Sequence, residues 1–211
     1  MNDVALFTDR KQAGLELASL LTEYKGSDAV VLAIPRGGLP LGAILSESLD
    51  LPLDIVLSKK IGHPTNKEYA IGAVSRHGRV LSENAREVSP QYIDRETRRI
   101  RKLLEERDAL FHQKKKALSL KGKTVILVDD GIATGNTVLA TVQLLRQEGC
   151  SEIVLAIPVA PASAIRKLSN SNEVNRIICP HQPRVFFAIG QFYERFGQVS
   201  DEEARLILEA H

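Results

Sequence analysis

Short apolar runs alternate with helix-like segments along this 211-residue chain, and that alternation limits the fold more than any other feature. Four runs are nearly continuous in apolar character, and they span residues 29–34, 53–57, 124–128 and 153–157. Such runs are typical of strands that are covered on both faces. Strands separated by helices predict an α/β fold with a doubly wound, mainly parallel sheet. Such sheets bind ligands in the loops at the carboxyl ends of their strands, so these loops are the first candidates for a site.

Weaker signals predict the remaining strands. Residues 58–70 are polar and contain glycine and proline, which predicts a loop. Two short strands around a tight turn are expected at 71–74 and 79–81. Two late strands are expected at 174–178 and 185–188, where apolar residues cluster near the end of the chain.

Helix signals are clearest in two places. A long helix is predicted over residues 89–119, with Ser89 as its N-cap, Pro90 at its first position and a narrow apolar stripe along one face. A terminal helix is predicted over residues 201–210, with Asp201 as its N-cap because a short acidic side chain accepts hydrogen bonds from unpaired N–H groups.

Composition favours an ordinary globular protein. Apolar residues make up 44% of the chain and the net charge is +2. No apolar run approaches the roughly 20 residues that span a membrane, and the N-terminus lacks the pattern of a secretory signal. Cys150 and Cys179 match no metal-binding or redox spacing and are expected to be reduced thiols in or near the core. These observations predict a cytoplasmic protein that does not bind membranes.

The most informative stretch runs from the strand at 124–128 through two acids and a loop of small residues into a helix. A loop that opens a helix presents unpaired backbone N–H groups at the positive end of the helix dipole, which suits a phosphate group. Asp129 and Asp130 would repel that phosphate unless they bind something else, and sugar hydroxyls or a hydrated magnesium ion fit that role. The stretch therefore predicts a sugar-phosphate site.

Residue types within the loop agree with that prediction. Gly131 and Gly135 allow close approach of the backbone, and Thr134 and Thr137 add hydroxyl donors. The lysine of a P-loop and the Gly-x-Gly-x-x-Gly pattern of a dinucleotide site are both absent. On spacing alone, an ordinary strand end followed by a helix cap remains the alternative.

This stretch resembles the motif with which type I phosphoribosyltransferases bind 5-phosphoribosyl-1-pyrophosphate (PRPP): apolar residues, two acids and a loop ending Thr-Gly-x-Thr. The resemblance covers essentially the whole chain. It implies the type I phosphoribosyltransferase fold, and it implies that Asp129 and Asp130 hold the ribose hydroxyls. Seven residues would then cradle the 5′-phosphate: Gly131, Ile132, Ala133, Thr134, Gly135, Asn136 and Thr137.

The same resemblance implies a division of the chain. Residues 1–178 would form the phosphoribosyltransferase core, with a mobile loop or hairpin region at 58–82 and the long helix at 89–119 as an addition to the minimal fold. Residues 179–211 would form a small hood and the C-terminal helix. Type I enzymes are often dimers, so a homodimer is expected.

Two further loops would bind pyrophosphate in this family. The first is Pro35-Arg36-Gly37-Gly38, where Arg36 offers a charge-assisted fork and the Arg36–Gly37 peptide is predicted to be cis. The second contains Lys59 and Lys60, either of which would neutralise the departing pyrophosphate. On local sequence alone, a common turn and two solvated lysines are the alternatives. The predicted catalytic set is Asp129, Asp130, Lys60 and Arg36.

The hood would hold the acceptor. Its candidate residues are Pro180, Phe186, Phe187 and Tyr193, whose apolar or aromatic faces suit either a planar base or a small core. The hood resembles that of family members with no established acceptor. Hypoxanthine–guanine enzymes carry an aspartate just before the Thr-Gly pair, and here that position is Ala133, which argues against that specificity.

The implied reaction transfers the 5-phosphoribosyl group of PRPP to a small-molecule nucleophile, expected to resemble a nucleobase, and releases pyrophosphate. Mg²⁺ is the expected cofactor. It would be carried by PRPP and reach Asp129 and Asp130 through water, with no direct protein ligand.

Charge is concentrated in one segment. Residues 95–123 hold eleven Lys and Arg against four acids, a local charge of +7. A solvated surface helix explains this charge, and a nucleic-acid surface is the alternative. Three functions therefore stay open: an active transferase, a PRPP-binding regulator that binds RNA or DNA without turnover, and an inactive scaffold. A scaffold would not need Arg36, Asp129 and Asp130 together.

Overall fold

A computed structural model describes residues 5–113 and 116–211 of the chain. Within these residues the strands, numbered in chain order, are β1 (Val30–Ala33), β2 (Leu53–Ile55), β3 (Lys59–Gly62), β4 (Ala70–Val74), β5 (Arg79–Leu81), β6 (Thr124–Val128), β7 (Glu152–Ala156) and β8 (Arg176–Ile178). The α-helices are α1 (Arg10–Ser19), α2 (Gly38–Leu49), α3 (Pro90–Phe111), α4 (Asn136–Gln147), α5 (Ala162–Ser169) and α6 (Asp201–Ala210).

Five strands form a parallel sheet in the order β2–β1–β6–β7–β8. Alternate residues of each strand enter opposite cores because side chains of a strand point to opposite faces. Helices α1, α2 and α6 cover the face that carries Val31 and Ile126, and α4 and α5 cover the face that carries Val30 and Val125. The sheet is therefore doubly wound, which confirms the predicted α/β class.

A second, antiparallel sheet has the order β3–β4–β5. It includes the two predicted short strands, but the prediction of a loop over residues 58–70 was wrong for β3. Two of its four residues, Lys59 and Lys60, are exposed, so the strand lacks the apolar character by which strands are recognised in sequence. Whether this region moves, as the sequence predicted for residues 58–82, stays a prediction.

Helix α3 packs on the antiparallel sheet through its apolar stripe, which includes Ile93, Ile100 and Leu104. Ser89 caps the helix as predicted, because its hydroxyl oxygen accepts a hydrogen bond from the Tyr92 N–H at 3.2 Å. The predicted extension to residue 119 was wrong, because the helix ends at Phe111. Lys114 and Lys115, which were counted in its basic charge, lie outside the described residues.

A buried polar cluster holds the end of α3 against the parallel sheet. His112 lies between two carboxylates, with its Nε2 2.7 Å from Asp54 and its Nδ1 3.0 Å from Asp108. The second oxygen of Asp54 accepts a hydrogen bond from the Leu118 N–H at 2.6 Å. These contacts direct the chain from Phe111 towards β6, which explains why the helix stops there. The hydrogen bond to Asp54 raises the pKa of His112.

Two predictions near the C-terminus were also wrong. Residues 185–188 form no strand, because the N–H groups of Phe187 and Ala188 donate to the Gln191 side chain and lead into a short 3₁₀ helix. Helix α6 is capped by Ser200 rather than by Asp201, because the Ser200 hydroxyl oxygen accepts from the Glu203 N–H at 3.0 Å. The Asp201 side chain is therefore available for other contacts.

Both cysteines are free thiols, with Cys150 buried and Cys179 half-buried. Burial raises the pKa of each to about 11, so neither is a reactive thiolate at neutral pH. In the described part of the chain, no helix combines the length and apolar character needed to cross a membrane.

The raised pKa of His112 predicts a pH-dependent stability. Protonated His112 contributes stability that is fully present below its unfolded pKa of about 6.5 and is lost as pH rises through the raised folded pKa. The free energy of unfolding of wild type, measured with urea between pH 5.5 and 8.5, should therefore exceed that of His112→Gln most at the acidic end. A difference that is constant across this range would contradict the assignment.

Candidate active site

The register of the parallel sheet brings two predicted ligand loops together. Ala33 at the end of β1 pairs with Val128 at the end of β6, and the Ile34 N–H donates to the Val128 carbonyl oxygen at 2.9 Å. Parallel strands end at the same edge of a sheet, so the loop that follows each strand starts beside the other. We call residues 35–38 the pyrophosphate loop and residues 129–137 the phosphate loop, after the roles that the sequence predicts.

Close contact between these loops requires glycine at position 37. A Cβ atom added to Gly37 would lie 2.2 Å from Oδ2 of Asp130 and 2.6 Å from its Cγ, well inside van der Waals contact. The pyrophosphate loop contains a cis peptide bond between Pro35 and Arg36. The predicted cis bond, between Arg36 and Gly37, was wrong by one residue, because nothing in the local sequence distinguishes the two peptides.

Asp130 forms a buried ion pair that the sequence did not predict. Nε and Nη2 of Arg10, on α1, lie 2.9 and 2.8 Å from its Oδ2, and both side chains are largely buried. Nη1 of Arg10 donates to the Gly197 carbonyl oxygen at 2.7 Å, and its guanidinium lies 3.9 Å from the centre of the Phe196 ring. Asp130 is therefore fixed by contacts with α1 and with the chain that precedes α6.

Asp129 is held differently from Asp130. Its Oδ1 accepts a hydrogen bond from the Asp130 N–H at 2.9 Å, and its side chain is only half-buried. Burial and the adjacent Asp130 carboxylate raise the pKa of Asp129 well above its usual value. Burial also raises the pKa of Asp130, against the opposing effect of Arg10. Two carboxyl groups this close favour a ligand that brings hydrogen-bond donors or positive charge.

The phosphate loop ends where α4 begins. Gly135 has φ +74°, a left-handed conformation that suits glycine, and its carbonyl oxygen accepts the Leu139 N–H at 2.9 Å. The N–H groups of the first turn, including those of Asn136 and Thr137, precede that bond and point out of the helix end. The side chains of Ala133, Thr134, Asn136 and Thr137 are exposed. An anion can therefore reach these N–H groups from solvent.

One cavity reaches from the pyrophosphate loop to Thr137 at the start of α4, and Asp129 and Asp130 are not among its lining residues. It has a volume of about 520 Å³, and its walls include Pro35 and Arg36 of the pyrophosphate loop, Ser58 and Lys59 after β2, and Thr137 of the phosphate loop. Helix α3 forms another wall, with Leu103, Leu104, Glu106 and Arg107. The volume is in the range of ordinary ligand pockets, and Arg36, Lys59 and Arg107 are the cations among its lining residues.

The two neighbouring lysines are not equivalent in this cavity. Lys59 lines it, whereas Nζ of Lys60 lies 2.8 Å from the Glu68 carboxylate in an exposed ion pair. The geometry therefore favours Lys59 over Lys60, although the sequence analysis placed Lys60 in the catalytic set. That set stays a prediction.

The hood residues differ in what they contact. The Tyr193 hydroxyl donates to the Asp130 carbonyl oxygen at 2.6 Å, and burial raises its pKa. Tyr193 therefore supports the phosphate loop. Phe186 packs against Phe192, with ring centres 4.9 Å apart, and contacts the main core. Phe187 is 86% exposed, so of these three rings it is the one free to meet an acceptor.

Sequence reasoning missed three basic residues near the site. Arg10 contacts Asp130, Arg107 lines the cavity, and Nζ of Lys167 on α5 donates to the Asn136 side chain at the start of α4. Each comes from a helix far from the phosphate loop in sequence, so no local motif marks it. The positive charge of residues 95–123 was the one sequence feature that indicated any of these residues, because Arg107 lies in that segment.

Comparisons with known proteins identify the family. A family model described as "Phosphoribosyl transferase domain" matches residues 9–184. Two proteins of Mycobacterium tuberculosis strains, both named "Putative phosphoribosyl transferase", are 35% identical to this chain over 208 residues. The matches cover 97% of this chain and 46% of each relative, so the chain spans about half of their length. An amidophosphoribosyltransferase of Rhizobium etli is 28% identical over 152 residues, which are 72% of this chain and 24% of that protein.

A solved structure agrees with these matches. The crystal structure of TT1426 from Thermus thermophilus superposes with a TM-score of 0.86 at 36% sequence identity, covering 96% of this chain and 97% of that one. The chain therefore belongs to the phosphoribosyl transferase domain family, a family of pentosyl-transferring enzymes. Family membership confirms the resemblance carried by the two acids and the Thr-Gly-x-Thr loop.

The different environments of the two acids predict opposite effects on stability. Asp130→Asn should lower the free energy of unfolding by about 3 kcal/mol, because the loss of the ion-pair partner of the buried Arg10 outweighs the burial that raises the pKa of Asp130. Asp129→Asn should unfold at or above the wild-type temperature at pH 7.5. The pKa of Asp129 is higher in the folded protein than in the unfolded chain. Ionised Asp129 therefore opposes folding at any pH above its pKa in the unfolded chain.

Thermal unfolding of both variants checks this pair of predictions. Asparagine is isosteric with aspartate, and its oxygen can still accept the Asp130 N–H, so each substitution removes charge rather than shape. Equal shifts of the unfolding temperature in the two variants would contradict the separate roles of Asp129 and Asp130.

Proposed function

We propose that this chain binds PRPP in the cavity between the two loops and transfers its phosphoribosyl group to a small nucleophile. The observation that carries the proposal is that Thr137 of the phosphate loop lines the same cavity as Arg36 and Lys59. PRPP carries a phosphate at one end of the ribose and a pyrophosphate at the other. A single cavity that is lined both by the start of an anion-binding helix and by cations suits such a molecule.

The ribose would lie over the two acids. The 5′-phosphate would accept hydrogen bonds from the N–H groups between Gly131 and Thr137 and from the threonine hydroxyls. Asp129 is half-buried and lacks an ion pair as tight as that between Asp130 and Arg10. It would therefore be the main hydrogen-bond acceptor for the ribose hydroxyls. Asp130 would keep the loop in place through Arg10. The two acids therefore divide roles that the sequence analysis assigned to both.

The bonds and charges of the transfer step can be accounted for with the groups proposed to surround PRPP. The bond between C1 of the ribose and the pyrophosphate oxygen breaks, and its electron pair leaves with pyrophosphate. A lone pair of the nucleophile forms the new bond to C1, and the proton of the nucleophile passes to solvent or to a nearby base. Arg36 and Lys59 would stabilise the negative charge that grows on the leaving group. The carboxylate of Asp129 would stabilise the positive charge on the ribose ring.

The side chains at the site suit a magnesium ion carried by the substrate. The carboxylates of Asp129 and Asp130 are oxygen donors, which Mg²⁺ prefers, but two carboxylates do not fill an octahedral shell. Residues 5–113 and 116–211 contain no group of three or more His, Cys, Asp or Glu side chains that could hold a metal. Pyrophosphate oxygens and water would have to supply the other ligands. When bound, magnesium would neutralise part of the pyrophosphate charge.

The acceptor is proposed to be a small, nucleobase-like compound that reaches C1 from the side of the hood. Phe187 exposes an aromatic ring that such an acceptor could contact, whereas the rings of Phe186 and Tyr193 pack against Phe192 and Phe196. A cytoplasmic homodimer remains part of the proposal. Arg99 of α3 is paired with Glu96 of its own helix and Arg107 lines the cavity, which favours a transferase over a nucleic-acid-binding regulator.

Pyrophosphate release from PRPP and Mg²⁺ across a panel of purines, pyrimidines and other nitrogen nucleophiles tests the proposed function. We expect one acceptor class to stimulate release, and Asp129→Asn to abolish that stimulation. PRPP binding without release for any acceptor would favour the regulator, and absence of PRPP binding would contradict the proposal.

The two lysines provide a matched pair for the leaving group. Lys59→Ala should lower kcat/KM by about 100-fold, because a charge aimed at the leaving group is lost. Lys60→Ala removes a neighbouring charge that pairs with Glu68 and should have a smaller effect, within about 3-fold, because solvent screens its exposed ion pair. Steady-state kinetics of both variants check this order, and the reverse order would restore Lys60 as the catalytic lysine.

A further inference from the structure

We propose that Arg107 of α3 is a third pyrophosphate-binding cation, and that Asp201 of α6 occupies both Arg107 and Arg36 until pyrophosphate binds. The inference rests on the proposed function, since it assigns a ligand to the same cavity. It gives a role to α3, which the resemblance implies is an addition to the minimal fold. Neither the phosphate loop nor the pyrophosphate loop contains Arg107.

One carboxylate oxygen links the two arginines. Nη2 of Arg107 lies 3.1 Å from Oδ1 of Asp201, and Nη1 of Arg36 lies 3.5 Å from the same oxygen. All three side chains are partly exposed, with 48%, 28% and 47% of the side-chain surface of Arg107, Arg36 and Asp201 accessible. Two positive charges thus share one negative charge at the mouth of a cavity that Arg36 and Arg107 both line. The remaining positive charge suits an anion with several oxygens.

Arg107 is positioned by a well-anchored helix. Leu104, one turn before it, is buried against the antiparallel sheet, and Phe111, one turn after it, is buried in the main core. The cluster around His112 fixes the helix end beyond Phe111. The backbone of Arg107 therefore stays beside the cavity while its long side chain can change partner.

Exchange of partners favours a phosphate ligand. An exposed arginine–carboxylate pair contributes little, because solvent screens it and two side chains must be ordered. A guanidinium that binds phosphate oxygens inside a cavity forms shorter, charge-assisted bonds in a less screened environment. Pyrophosphate carries more charge than one carboxylate, so it can engage Arg36, Lys59 and Arg107 together. Asp201 is free to act as the temporary partner because Ser200, and not Asp201, caps α6.

Binding of magnesium pyrophosphate by calorimetry tests the inference, with ribose 5-phosphate as the second probe. Arg107→Gln should weaken magnesium pyrophosphate binding at least 10-fold and leave ribose 5-phosphate binding unchanged, because that molecule lacks the pyrophosphate group. Asp201→Asn should strengthen magnesium pyrophosphate binding several-fold, because it releases two arginines. Weaker binding in Asp201→Asn would overturn the role of Asp201 as a temporary partner.

Arg99→Gln is the matched control. Arg99 lies on the same helix and its ion pair, at 2.9 Å, is with the largely buried carboxylate of Glu96, but Arg99 does not line the cavity. It should leave both affinities unchanged. The inference is wrong if Arg107→Gln binds magnesium pyrophosphate as tightly as wild type, or if its affinities for both ligands fall equally. In either case Arg107 serves only to join α3 to α6.

These outcomes separate the inference from the proposed function. If wild type binds neither magnesium pyrophosphate nor ribose 5-phosphate, the proposed function fails and the inference fails with it. If wild type binds both and Arg107→Gln still binds pyrophosphate normally, only the inference fails.

Discussion

The contact between Asp130 and Gly37 is the constraint on which the rest of the site depends. The Asp130 carboxylate lies against the backbone of the pyrophosphate loop so closely that only glycine fits there. Arg10 fixes that carboxylate from α1, and the Tyr193 hydroxyl holds the carbonyl oxygen of the same residue. One residue thus joins both ligand loops, the first helix and the hood.

Electrostatics at the site follow from this arrangement. At the end of a strand, Asp130 is buried and the adjacent Asp129 is half-buried, and loss of solvent raises the pKa of both. Such a site opposes folding unless a partner compensates it, and Arg10 contacts Asp130 directly but acts on Asp129 only through its charge. Asp129 is left to interact with a ligand, while Arg36, Lys59 and Arg107 line the cavity. In the proposed function, the carboxylates would meet the hydroxylated, partly positive sugar and the cations would meet the departing anion.

Much of the fold and the centre of the site could be predicted from sequence because their signals are local. β6 was predicted to the residue, and the two acids with their glycine–threonine loop specify a ligand through backbone chemistry. Contacts between distant segments could not be predicted: Arg10 and Arg107 carry no motif, and their positions depend on how α1 and α3 pack. The end of α3 was missed for the same reason, because it is set by Asp54 and His112 across the fold. A strand was predicted over residues 185–188, but the N–H groups of Phe187 and Ala188 donate to the Gln191 side chain, and a 3₁₀ helix follows instead.

PRPP affinity of Gly37→Ala, measured by calorimetry with Mg²⁺, tests the central claim most directly. A methyl group at position 37 would meet the Asp130 carboxylate at 2.2 Å, and Arg10 prevents that carboxylate from moving freely. Gly197→Ala is the control, since a Cβ atom there meets nothing within 4 Å. The expected result is that Gly37→Ala remains folded and binds PRPP at least 10-fold more weakly than wild type, while Gly197→Ala binds it normally. Wild-type affinity in Gly37→Ala would show that the contact between the loops does not form the PRPP site.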